Sequence, residues 1–204
     1  MQALAVCLSA VAGYVDAVGY LASHGYFVSF MSGNSTRFAV SISRTMMGAI
    51  TAGSLIGSFL AGVVIGSLCG AWAGERRRSA LLLLVAATLA QAAFYGSTGN
   101  GVFAIGLTAL AMGAMNAALE QPGGASIGLT YMTGTLVKIG QGVAATCLGR
   151  GRTDWFSFLA LWAGLVSGAI IGAAAYPNAG FAALWFPVAI LVILALLCRR
   201  SANG

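Results

Sequence analysis

This chain predicts an all-α, polytopic membrane protein: about six transmembrane helices in a 3+3 inverted repeat, with two short broken or re-entrant segments. Three observations carry that prediction. The 204 residues are 59% hydrophobic and only 7% charged, with a mean hydropathy of +0.92. Soluble domains run about 25% charged, so this composition cannot cover a globule with polar surface. The apolar residues gather into long runs separated by turn chemistry. Finally, two polar motifs, "FMSGNSTRF" from Phe30 and "YMTGTLVKI" from Tyr131, repeat one awkward polar break a hundred residues apart.

The first apolar run covers roughly residues 3–22. It has no Lys or Arg ahead of it and continues past the Ala-x-Ala-like end of "MQALAVCLSAVAG". It therefore reads as a retained span rather than a cleaved signal. The other runs lie at roughly 46–73, 79–96, 101–119, 155–175 and 181–198, and shorter mixed segments at roughly 31–44 and 132–149. Turn residues mark the joints: "GERRRS", "YGSTGNG", "EQPGG" (with Glu120, Gln121 and Pro122) and "YPNAG". Residues 1–98 are expected to form the first three-helix repeat and 99–204 the second, within one membrane domain.

Orientation follows from the basic residues. With both termini cytoplasmic, Arg76, Arg77, Arg78, Lys138, Arg150, Arg152, Arg199 and Arg200 lie inside, and only Arg37 and Arg44 outside. That bias is the positive-inside pattern. The net charge of +6 therefore reads as cytoplasmic loops, and nucleic acid is not an expected partner. Counting the mixed segments as full spans would place Arg76–Arg78 outside, so they are expected to be re-entrant or interfacial.

The repeat goes beyond the two motifs. "GYVDAVGYL" from Gly13 matches "GAMNAALEQ" from Gly113, which sets Asp16 opposite Asn116. Met31, Gly33 and Arg37 match Met132, Gly134 and Lys138, and "GVVIGSLCGAWAG" from Gly62 matches "GAIIGAAAYPNAG" from Gly168. Three spans per half is an odd number, so the second half must enter the membrane inverted. Helix breaks in hydrocarbon must line protein or a water cavity. The breaks at Gly33/Asn34 and Gly134/Thr135 are thus expected to meet near a central axis around a polar pocket. Ser32, Asn34 or Ser35, and Thr133 or Thr135, are candidate caps for the helices that follow.

The candidate binding and coupling residues are Asp16, Ser32, Gly33, Asn34, Arg37, Asn116, Thr133, Gly134, Thr135 and Lys138. Asp16 weighs most, because a carboxylate inside an apolar span is costly and faces the bundle interior. It is either a proton or cation coupling site, or a structural partner for a hydrogen bond or for Arg37 or Lys138. Arg37 and Lys138 either serve an anionic substrate or Asp16, or snorkel to lipid headgroups. Gln91 is a candidate interhelical hydrogen-bonding residue. Gly53, Gly57, Gly62, Gly66 and Gly70, and then Gly164, Gly168 and Gly172, form small-xxx-small faces for close helix packing, with homo-oligomerisation as a competing use. Cys7, Cys69, Cys147 and Cys198 stand far apart, and neither they nor the lone His24 suggest a disulfide, a metal site or a cofactor.

The stretch "AGYVDAVGYL…GYFVSFMSGNSTRFAV" resembles the N-terminal signature of the YoaK family of bacterial inner-membrane proteins. Its pattern is Gly-x-x-Asp-Ala, then Phe-Val, then Met-Thr-Gly-Asn, carried here by Gly13, Asp16, Ala17, Phe27, Val28, Met31, Ser32, Gly33 and Asn34. Ser32 stands where Thr is usual and keeps the hydroxyl. The resemblance extends over the whole chain and implies about six membrane helices and a bacterial plasma membrane, without implying an activity.

From the residues themselves, the expected function is a small secondary transporter or permease for a small anionic or zwitterionic solute, proton-coupled through Asp16. The alternatives are a non-transporting scaffold and, more remotely, a membrane-embedded enzyme. No HExxH, GxSxG or Cys/His pair supports the last, so no enzyme activity is expected.

Overall fold

The structure, a computed structural model, describes residues 2–117, 132–149 and 155–202. Among the described residues it is helical throughout, in the order α1 (Gln2–Ala22), α2 (Met31–Ile42), α3 (Met46–Ala73), α4 (Arg77–Ser97), α5 (Gly101–Ala117), α6 (Met132–Cys147), α7 (Trp155–Ala179) and α8 (Trp185–Ala202). Apolar stretches long enough to cross a bilayer are Gln2–Ala22, Met46–Ser97 and Trp155–Arg199. The second and third each fold into two helices joined by a 3-10 turn, Gly74–Arg76 and Gly180–Leu184. Both turns open on a glycine in the left-handed region, Gly74 at φ 53° and Gly180 at φ 55°, a conformation that other residues adopt at a cost. The turn motif containing Glu120, Gln121 and Pro122, together with Arg150, Arg152 and Asp154, lies outside the described residues.

One boundary differs from the sequence expectation. The "YPNAG" joint does not stop α7 at 175; the helix runs through Pro177 to Ala179 and ends at Gly180. Proline's fixed φ fits a helix, and although Pro177 lacks the N–H that would bond the Ala173 carbonyl, losing that one bond does not end the helix. The left-handed glycine is the actual stop.

Helix directions follow from named contacts. Gln2 hydrogen-bonds Ser157, and Cβ atoms placed on Gly164, Gly168 and Gly172 would press on Val6, Ala10 and Tyr14, so α1 and α7 run parallel. Gly62 lies against Leu110 and Gly66 against Ala114, so α3 and α5 also run parallel. The Ser79 hydroxyl donates to the Ala195 carbonyl (2.9 Å) and Gly96 meets Phe181, so α4 and α8 run antiparallel.

The glycines are where the backbones touch. A Cβ on Gly13 would overlap the Leu165 carbonyl, and one on Gly168 the Ala10 carbonyl. A Cβ on Gly113 would overlap the Phe59 carbonyl, and one on Gly62 the Leu110 carbonyl. The two glycine-rich helices therefore pack on α1 and α5 rather than on each other. Gly13 stands to Leu165 as Gly113 stands to Phe59, and Gly66 to Ala114 as Gly172 to Tyr14. Burial matches too: in Leu8–Asp16 and in Thr108–Asn116 every residue is buried except the third and the last. Between these helix pairs, Val15, Val18, Leu82, Val85, Leu89, Met112, Met115 and Leu191 form one apolar core. Large side chains such as Met46, Trp72 and Val102 point outward, as they do in a chain solvated by lipid.

Candidate functional site

After α1 the chain doubles back. His24 (φ 56°) and Gly25 (φ 106°) both adopt the left-handed region. The Ser23 hydroxyl closes the turn, donating to the Tyr26 carbonyl (2.7 Å) and accepting from the Tyr26 N–H (3.1 Å). Residues 26–30 then run back along the last turns of α1, with Val28 seated against Gly19. Their backbone is in neither helix nor sheet, and hydrocarbon offers it no partner.

Two polar side chains supply those partners. Asp16 Oδ1 accepts the N–H groups of Val28 (3.0 Å) and Ser29 (2.9 Å), and the Ser29 hydroxyl also donates to this carboxylate. Asn34 reaches back from α2, accepting the Phe27 N–H at Oδ1 (3.0 Å) and donating from Nδ2 to the Phe27 carbonyl (2.6 Å). Three consecutive amides are thereby satisfied by side chains from the two helices that flank them. α2 starts at this depth and climbs antiparallel to α3, with Phe38 against Gly53 and Ser41 against Gly48. Residues 23–42 thus fold back along α1 and then along α3, and Asp16 and Asn34 clasp the irregular stretch between α1 and α2.

Asp16 also lines a groove. A cavity of about 410 Å³, open on one side, lies between α1 and α7 and is lined by Gly13, Asp16, Tyr20, Phe27, Leu165 and Ala173 among others. Its walls are almost wholly apolar. The Tyr20 and Phe27 rings lie 4.9 Å apart at its edge. Among the described residues no cation pairs with Asp16. The Arg37 guanidinium lies over the Tyr26 ring (4.9 Å), and Lys138 Nζ over the Phe158 ring (4.7 Å).

The second half repeats part of this. Ser32 and Thr133 are exposed, Gly33 and Gly134 half-buried, and Asn34 and Thr135 buried at 0% and 4% exposure. Asn116 occupies the place of Asp16 but donates from Nδ2 to the Met112 carbonyl one turn back (2.9 Å).

Four sequence expectations are corrected. The positions Gly33/Asn34 and Gly134/Thr135 are not helix breaks; both pairs lie in the first turns of continuous helices, and the irregular backbone precedes α2. The N-cap of α2 is Phe30 without side-chain capping, while Ser35 and Thr36 donate to carbonyls one turn back within the helix. The two polar segments also do not meet: α2 packs on α3 and α6 on α7, with no contact between α2 and α6. The reason is steric, because α1, α4 and α5 fill the centre with apolar side chains and leave the short helices outside. Gln91 is exposed on α4 and, among the described residues, hydrogen-bonds no other helix.

Sequence reasoning passed over several residues that matter. Gly13 and Gly113 began the internal match, and that was the available signal for their close approach. Tyr20 carried none, and Phe27 was marked only as part of the family pattern. The Tyr14 hydroxyl, which donates to the Ala183 carbonyl (3.0 Å), and Ser9, which donates to the Leu161 carbonyl (2.9 Å), tie α1 to the second half and were equally silent.

The family described as "Protein of unknown function (DUF1275)" matches residues 4–197. A UPF0700 transmembrane protein of Rhizobium meliloti (strain 1021) is 40% identical over 193 residues, covering 94% of this chain and 83% of the relative. No solved structure matches. The chain belongs to the DUF1275 family, which includes the YoaK proteins it resembles in sequence, and it is a transmembrane protein.

Proposed function

We propose that this DUF1275 protein is a small secondary transporter or permease in the bacterial inner membrane, with both termini cytoplasmic, moving a small polar solute past Asp16. The observation that carries the reading is an aspartate lining an open groove, its carboxylate holding a segment that folds back along α1, inside a helix otherwise built for hydrocarbon. Carboxylates in that position mark substrate or proton pathways in membrane proteins. The parallel pairs α1/α7 and α3/α5, with their matched glycine contacts, support two inverted three-span halves, a layout that transporters use for alternating access. On this reading the chain crosses six times and is not an enzyme.

A second reading has its own observation. The centre between α1, α4 and α5 is packed and apolar, which suits a scaffold that transports nothing. Proteoliposomes holding an internal pH dye separate the two. Additions from a panel of amino acids, monocarboxylates and amines are expected to yield at least one that drives proton movement. Asp16→Asn is expected to reduce that flux about tenfold or more. A folded protein that moves no member of the panel favours the scaffold.

A further inference from the structure

We infer that the α1/α7 groove binds a small organic cation carrying an apolar body, an alkyl- or aryl-ammonium, with Asp16 as its counter-ion. The sequence leans the other way, toward an anion held by Arg37 and Lys138. The geometry removes that basis, because each of those cations already lies on an aromatic ring, of Tyr26 and Phe158 respectively. Asp16 is the one Asp, Glu, Lys, Arg or His among the residues lining the groove. Its hydrogen bonds come from two backbone amides and a hydroxyl, which are neutral donors, so its negative charge has no cationic partner among the described residues.

The walls complete the match. Gly13, Leu165 and Ala173 offer hydrocarbon, and the tilted Tyr20–Phe27 pair offers two π-faces at the mouth. Aromatic faces attract ammonium groups, most strongly where water is excluded. An anion would meet Asp16 with the Tyr20 hydroxyl as the one side-chain donor among the lining residues. A strongly hydrated metal ion would meet apolar walls supplying almost no oxygen ligands. An amine with a hydrophobic body satisfies both the charge and the walls.

This inference rests on the transport reading only for what the site is used for, so binding is measured apart from flux. Purified full-length protein in detergent is titrated with benzyltrimethylammonium, and with phenylacetate as the anion of similar body. The cation is expected to raise the melting temperature and saturate, while the anion does neither. Asp16→Asn keeps an oxygen for Val28 and Ser29 and is expected to bind the cation at least about tenfold more weakly. Ala173→Phe fills the groove from an exposed position on α7, leaves the Asp16 hydrogen bonds untouched, and is expected to abolish the shift. A shift by the anion instead, or one by the cation that survives both substitutions, overturns the inference. Saturable anion flux independent of Asp16, together with no shift by the cation, would leave transport standing and the cation site refuted. Cation binding with no flux of any solute would keep the site and remove transport.

Discussion

Alanine at Gly13 or at Gly113 is expected to destabilise the protein by about 3 kcal/mol or more, near the upper end for overpacking substitutions. In each case the new methyl group would overlap a backbone carbonyl, of Leu165 on α7 or of Phe59 on α3. A flexible side chain could turn aside; a helix backbone cannot, so the pair must separate along its length. Separation forfeits the dispersion contacts that hold helices together when lipid is as apolar as they are. Intrinsic helix propensity opposes the effect, since alanine is favoured over glycine by about 1 kcal/mol. Gly57 supplies the control, because a Cβ there meets nothing within 4 Å. Gly57→Ala should be neutral or slightly stabilising, with Gly13→Ala and Gly113→Ala both much worse and similar to each other. Melting temperatures in one detergent decide it. If all three variants behave alike, the close approaches are not what holds the bundle.

Asp16→Ala is expected to cost about 3 kcal/mol, and Asp16→Asn only about 1. The alanine leaves the Val28 and Ser29 amides and the Ser29 hydroxyl without an acceptor. Inside the bilayer no water repairs that loss. The amide oxygen of asparagine can still accept both N–H groups, so most of the clasp survives while the charge goes. Comparing the two variants thus separates the structural task of Asp16 from any use of its charge. Protease cleavage between residues 23 and 30 should rise in Asp16→Ala and stay near the wild-type rate in Asp16→Asn. Equal stability for both would mean that the doubled-back backbone finds its partners elsewhere.

Much of the fold could be read in advance because the membrane makes composition decisive. The first span ends at Ala22 as the end of its apolar run predicts, and α3 occupies Met46–Ala73 as its own run predicts. The mixed segments were found, but their polar residues were misread. A glycine beside Asn or Thr suggests a break, whereas here Gly33 lets the Phe27 and Phe30 rings pack against a continuous helix. Asn34 is polar because the preceding chain needs a partner, and that need cannot be seen without knowing that residues 26–30 turn back. Asp16 was singled out correctly as an anomaly. Its partners are backbone atoms, which have no sequence signature. The groove was invisible for the same reason: Tyr20, Phe27 and Ala173 become neighbours only once α1 and α7 lie side by side.

The account depends above all on the two halves lying in opposite senses across the membrane. Single cysteines at Ser43→Cys, where α2 ends, and Leu148→Cys, just beyond α6, test this directly in a background lacking the four native cysteines. A membrane-impermeant maleimide applied to intact cells with a permeable outer membrane should label position 43, and should label position 148 only after the inner membrane is opened. Labelling of both positions from the same side would contradict the inverted arrangement, and the transport reading with it.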